Sequence, residues 1–124
     1  MLETVVYCTA ENEEETRHFY RDVLGMRPFG EDSVGHRLPT GVFLVFNRDE
    51  SSVQDSPPAH GAAGAVHTCF LAAEGEYERW KDDLTAKGIE IVDELTWERG
   101  LRSFYFRDPA GNMLEIAEGD MWPA

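Results

Sequence analysis

Residues 102–119 read RSFYFRDPAGNMLEIAEG, two short strands around a tight turn. Ser103, Phe104, Tyr105 and Phe106 are residue types of a half-buried strand. Asp108-Pro109-Ala110-Gly111-Asn112 is turn chemistry: proline fixes φ, glycine permits positive φ, and Asp and Asn bond their own backbone. Met113-Leu114-Glu115-Ile116-Ala117 then forms a second strand with one carboxylate inside an apolar run. Alternation puts Met113, Glu115 and Ala117 on one face, and Leu114 and Ile116 on the other. A carboxylate so placed needs a cation, a hydrogen-bond donor, a metal or water. An arginine such as Arg102 or Arg107 is the simplest partner.

At the other end of the chain, Leu2–Thr9 is β-rich, with Glu3, Val5, Tyr7 and Thr9 on one face and Thr4, Val6 and Cys8 on the other. Glu11–Leu24 has the period of a helix, with Thr16, Phe19, Tyr20, Val23 and Leu24 as its stripe. Asn12 is placed to cap it, with Glu15 three residues on, and Gly25 ends it. Arg27–Glu31, His36–Leu38 and Val42–Asn47 read as strands, the last the most apolar and the central one. Arg48–Gly64 is a long connector with no pattern of its own. Then the order restarts: strand Ala65–Ala72, helix Tyr77–Lys87, and strands Ile89–Leu95, Arg102–Arg107 and Met113–Glu118. Strand, helix, strand, strand, strand therefore occurs twice, as a repeat of pattern more than of identity. The expected fold is α+β. Residues 1–124 form one domain, with module 1 at about 1–50, the connector at 48–64 and module 2 at about 64–119. The two βαβββ modules form a curved mixed sheet around a cavity.

The 124 residues suffice for a real core, and 42% hydrophobic content excludes a disordered chain. A net charge of −13 disfavours nucleic acid and anionic membranes as partners. No apolar run reaches a membrane span, and the first residues lack the basic region of a secretory signal, so a cytoplasmic protein is expected. Cys8 and Cys69 make no metal-type pair and read as buried free thiols of a reducing compartment.

Comparing strands in the two halves singles out residues on the face away from the helices. The first strand offers Glu3, the fifth His67 with Cys69 and Leu71, and the eighth Glu115. One imidazole and two carboxylates on neighbouring strands suit a three-ligand site with open positions. Each alone has an ordinary explanation: a hydrogen-bonded rim histidine, an exposed terminal glutamate, an ion-paired glutamate.

Three stretches carry a family resemblance: His18-Phe19-Tyr20-Arg21-Asp22-Val23-Leu24-Gly25-Met26, Val66-His67-Thr68-Cys69-Phe70, and Ser103–Glu115 with its Asp-Pro-x-Gly-Asn turn. Together they resemble the vicinal oxygen chelate superfamily, which includes glyoxalase I, extradiol dioxygenases, fosfomycin-resistance enzymes and bleomycin-resistance proteins. The resemblance covers nearly the whole chain apart from the connector and the last residues. It implies metal ligands on the first and last strands of each module. His67 and Glu115 match these places in module 2. In module 1 Glu3 falls on the first strand, and Glu3-Thr4-Val5-Val6-Tyr7 resembles a subgroup beginning E-T-x-x-Y. The interval from Glu3 to Phe19 is two residues longer than usual. Either the Thr9–Asn12 loop holds an insertion or Val5 takes the ligand place, and alternation allows both. The fourth place falls on Phe43 or Leu44, so a site with four protein ligands is not expected.

The resemblance thus implies a divalent metal, Mn, Fe, Ni or Zn, held by Glu3, His67 and Glu115. The metal would act as a Lewis acid on a small substrate chelated through adjacent oxygens, with Glu115 doubling as catalytic base. The expected activity is that of a lyase or dioxygenase. Tyr7, Phe46, Trp97, Arg102 and Phe104 are candidates for the substrate pocket, and Trp97-Glu98-Arg99-Gly100 for a loop at its mouth. His60, in the connector, is a lesser candidate whose ordinary place is a solvated loop. Thr96–Arg102 lacks the potassium-loop and phosphonate-binding features of a fosfomycin thiol transferase. The alternative is a metal-free bleomycin-resistance-type protein that sequesters a small molecule or drug. The resemblance also implies a homodimer.

Overall fold

The structure, a computed structural model, describes residues 1–30 and 34–122. The described chain divides into two compact units: 1–66 with the turn Pro109–Asn112, and His67–Asp108 with the segment that starts at Met113. The boundary falls between Val66 and His67, just past the connector. Each unit holds one four-stranded mixed sheet and repeats the βαβββ order.

In the first unit, β1 (Glu3–Cys8) is followed by α1 (Glu13–His18), which continues as a π-turn over Phe19–Val23. Strands β2 (Arg27–Phe29), β3 (Gly35–Leu38) and β4 (Gly41–Asn47) complete a sheet of order β1-β4-β3-β2. The expected strand at Arg27–Glu31 is thus seen to Phe29, and Glu31 lies outside the described residues. β4 is interior, pairing parallel with β1 and antiparallel with β3. Val6, Cys8, Phe43 and Val45 are buried with Thr16 and Tyr20, and the Tyr20 and Phe43 rings lie 4.7 Å apart. The helix breaks α geometry where its apolar stripe ends: the Leu24 N–H donates to the Phe19 carbonyl, five residues back. Asn12 does not cap through its side chain. Its Oδ1 accepts from the Thr9 N–H at 2.8 Å, closing the preceding turn instead. The connector, read as structureless, opens with a one-turn helix α2 (Arg48–Ser51). Asn47 Oδ1 caps that turn by accepting from the Asp49 N–H.

In the second unit, β5 (His67–Leu71), α3 (Tyr77–Ala86), β6 (Asp93–Thr96), β7 (Arg102–Arg107) and β8 (Met113–Ala117) give the order β5-β8-β7-β6. The expected hairpin at Arg102–Gly119 is present: β7 and β8 pair antiparallel from Ser103↔Ala117 to Arg107↔Met113, and Gly111 sits in the turn at φ +87°. Leu114, Ile116, Phe104 and Phe106 are buried on the α3 side with Tyr77 and Leu84. The strand expected at Ile89–Leu95 begins only at Asp93. Both cysteines are free, as expected, but only Cys8 is buried; Cys69 is exposed on β5. No helix among the described residues is long and apolar enough to cross a membrane.

Candidate functional site

Register assembles the site in the second unit. β8 is interior, so Glu115 has a partner on each side: Cys69 on the parallel strand β5 and Tyr105 on the antiparallel strand β7. Glu115 is 5% exposed. His67, one repeat before Cys69 on the same face, brings Nε2 to 3.0 Å from Glu115 Oε1. The His67 side chain is half exposed, so the pair joins a buried oxygen to an open imidazole. The His67 and Tyr105 rings lie 5.8 Å apart. Although the Cys69 residue as a whole is exposed, desolvation of its sulfur, and then the charge of Glu115, push the thiol up to about 12. The same causes in the same order raise Tyr105. Both groups therefore stay protonated and present donors toward the carboxylate.

A cavity of about 480 Å³ opens on this cluster: besides His67, Tyr105 and Glu115 its lining includes Trp97, Arg99 and Leu101. Of the residues expected in the pocket, Trp97 lines it. Arg102 and Phe104 do not, because alternation along β7 turns 102, 104 and 106 toward α3. Phe104 is fully buried, 5.4 Å from the Tyr77 ring. Arg102 binds Glu118 through Nε and Nη2, binds Glu78 through Nη1, and lies 4.5 Å above the Tyr77 ring. It is therefore not the partner of Glu115, whose ion-pair partner among the described residues is His67. Tyr105 was missed, although counting back across the five-residue turn from Glu115 reaches it.

The first unit carries the remaining residues. Glu3, Val5 and Tyr7 share the face of β1 opposite the buried Val6 and Cys8. Tyr7 Oη lies 2.8 Å from His60 Nδ1, and Phe46 meets the His60 ring edge-on at 4.8 Å. His60 is anchored, not solvated: its N–H donates to the Ser51 carbonyl and its carbonyl accepts from Ser51 Oγ at 2.7 Å. Glu3 is exposed. The interval from Glu3 to the start of α1 equals that from His67 to the start of α3. Each residue is also the first rung of its ladder, Glu3 opposite Val42 and His67 opposite Met113. On that correspondence Leu44, opposite Val5, is the counterpart of Glu115, opposite Cys69.

One imidazole nitrogen and one nearly buried carboxylate oxygen converge here, both donor types that suit borderline metals, and among the described residues no group of three or more His, Cys, Asp or Glu is gathered for an ion.

The family model described as Glyoxalase/Bleomycin resistance protein/Dioxygenase superfamily matches residues 7–116. The chain belongs to this superfamily. A lactoylglutathione lyase from Agrobacterium tumefaciens superposes with a TM-score of 0.88 at 34% identity, over 98% of this chain and 95% of that one. A glyoxalase/dioxygenase from Nostoc punctiforme shares the fold at 22% identity and a TM-score of 0.69, covering 95% and 89%. In sequence, a glutathione transferase FosA from Serratia marcescens is 28% identical over 103 residues, 83% of this chain and 70% of that protein.

Proposed function

We propose that the protein is a metal-dependent glyoxalase- or dioxygenase-like enzyme, acting on a small substrate chelated through two adjacent oxygens. The observation that carries this reading is the contact of His67 Nε2 with the nearly buried Glu115 at 3.0 Å, in the lining of a cavity. Within the second unit the ligands are His67 and Glu115, and Glu3 is the third ligand that the family resemblance implies. The matched spacing of Glu3 and His67 before their helices supports Glu3 over Val5. The metal, one of Mn, Fe, Ni or Zn, would supply Lewis acidity toward the oxygen pair. The chain's own residues then do the rest. Glu115 would take a proton from the substrate carbon, and Tyr105 holds a donor toward that carboxylate. The lactoylglutathione lyase and FosA relatives favour a lyase or transferase-like reaction over oxygen chemistry.

A second reading is a metal-free small-molecule binder of the bleomycin-resistance type. It is favoured because no group of three or more His, Cys, Asp or Glu is gathered for an ion among the described residues.

Metal analysis of protein purified without chelator decides between them. The first reading expects near-stoichiometric metal, lost in H67A and reduced in E3A. It also expects stabilisation by about 2.7 kcal/mol when the best of Mn²⁺, Fe²⁺, Ni²⁺ and Zn²⁺ is present at a hundredfold its Kd. No metal and no thermal shift with any of the four would leave the binding protein.

A further inference from the structure

Beside its polar cluster the cavity at Glu115 carries aromatic and aliphatic lining residues, and that part of its wall is built. The Trp97 indole Nε1–H donates to Ser103 Oγ at 2.9 Å, and Ser103 is fully buried in β7. The backbone around Trp97 is closed as well: its N–H donates to the Leu101 carbonyl and its carbonyl accepts from the Gly100 N–H. The indole is thus fixed in position before any ligand arrives, while 42% of the residue remains exposed. Beyond β8, Gly119 adopts φ +66°, and a Cβ there would lie 2.9 Å from Leu101 Cδ2. Glycine therefore lets the chain pass close to Leu101, and Met121 and Trp122 complete the wall. Glu98 and Arg99 bring one charge of each sign to the lining, so charge gives no preference in this part of the wall. A volume of about 480 Å³ exceeds what a bare two-oxygen headgroup fills and sits within the usual range for small-ligand pockets.

The geometry points to Trp97 as a specificity-determining residue that selects substrates carrying a flat apolar ring beside their oxygen pair. The ring lies against the fixed indole, and the oxygens reach the His67–Glu115 pair. This role for Trp97 rests on that pair being the oxygen-binding site, as proposed above. Ring stacking on a preset indole needs no reorganisation, so most of the apolar burial appears as affinity.

Calorimetric titration of the full chain with lactate and with 3-phenyllactate tests it, because both carry the same hydroxy-acid oxygen pair and differ by the ring. Titrations run in EDTA and again with Mn²⁺. With Mn²⁺ present phenyllactate is expected to bind at least about tenfold tighter than lactate, and both are expected to weaken in EDTA. W97A brings the two within about threefold, W97F keeps most of the preference, and S103A falls between while leaving lactate unchanged. L101A, which keeps the indole in place, lowers the preference less than W97A and guards against a misfolded W97A. With Mn²⁺ present, equal affinities, no binding of phenyllactate, or a preference intact in W97A would overturn the assignment. A ring preference that persists while Mn²⁺ changes neither affinity would instead overturn the metal reading alone.

Discussion

Glu115 and His67 show how one residue's environment decides what its loss does. The carboxylate is 5% exposed and its ion-pair partner among the described residues is half-open His67. In EDTA, H67A leaves that buried charge with only the weaker donors of Cys69 and Tyr105. Water replaces part of the lost imidazole, so the cost is expected near 1 kcal/mol, or a fall in Tm of about 4 °C. E115L removes the charge itself and fills the space with apolar atoms. It is expected to leave Tm unchanged or raise it, since burying a carboxylate is costly in the first place. Differential scanning calorimetry of both variants checks the order, and an E115L that melts below H67A would contradict it. The pairing was partly legible in the sequence, because an apolar-flanked carboxylate announces its need for a partner. Which partner it takes depends on register and side-chain reach. Those turned Arg102 toward Glu118 and Glu78 and left His67 and Tyr105 for Glu115.

The β7–β8 hairpin is held at its open end by more than its ladder. Arg102 ties β7 to Glu118, just past β8, and to Glu78 on α3. Lys81 and Tyr77 do the same for Glu94 on β6. Bonds from these cations hold the Glu78, Glu94 and Glu118 carboxyls below their ordinary range. R102Q is expected to lower Tm in low salt, with a smaller deficit in 1 M NaCl, because partly exposed charges are screened. A deficit that does not shrink would mean that Arg102 acts by packing on Tyr77. G119A tests the other end of the same element. Its positive φ costs an L-residue about 1–2 kcal/mol, and the Leu101 contact adds to that. In urea unfolding, L101A in the G119A background should therefore recover only the steric part, and full recovery would contradict the φ argument. At this scale the sequence was informative: alternation and glycine punctuation located all eight strands and both main helices. What it missed was local competition for the same groups. Asn12 spent its side chain on the Thr9 turn, Asn47 started an unforeseen helical turn, and the Phe19–Val23 stretch became a π-turn that no hydrophobic period distinguishes from α.

Over the whole molecule, an excess of acid dominates: the net charge is −13, and repulsion among surface carboxylates opposes compactness at neutral pH. On that ground alone, mild acidification would stabilise the fold. His36 acts against it. It is 1% exposed, and burial lowers its pKa from 6.5, with Arg17 and Arg21 adding to the effect while the Phe43 and Val34 carbonyls oppose it. The folded state therefore keeps this imidazole neutral where the unfolded chain accepts a proton. A depressed folded pKa contributes stability that is present above the unfolded value of 6.5 and is lost as pH falls toward the folded value. The slope for one proton is at most about 1.4 kcal/mol per pH unit. Glu78, Glu94 and Glu118 are held below their ordinary range by their cation partners, so their stabilisation is fully present across this window and adds no slope to it. Stability from urea unfolding is thus expected to decline between pH 7 and pH 5 in the native protein, against the trend that its net charge sets. In H36N, whose amide does not titrate, the decline should flatten or reverse, although the variant is less stable at pH 7 for lost packing. The two curves should converge as pH falls, and parallel curves would show that another group controls acid stability.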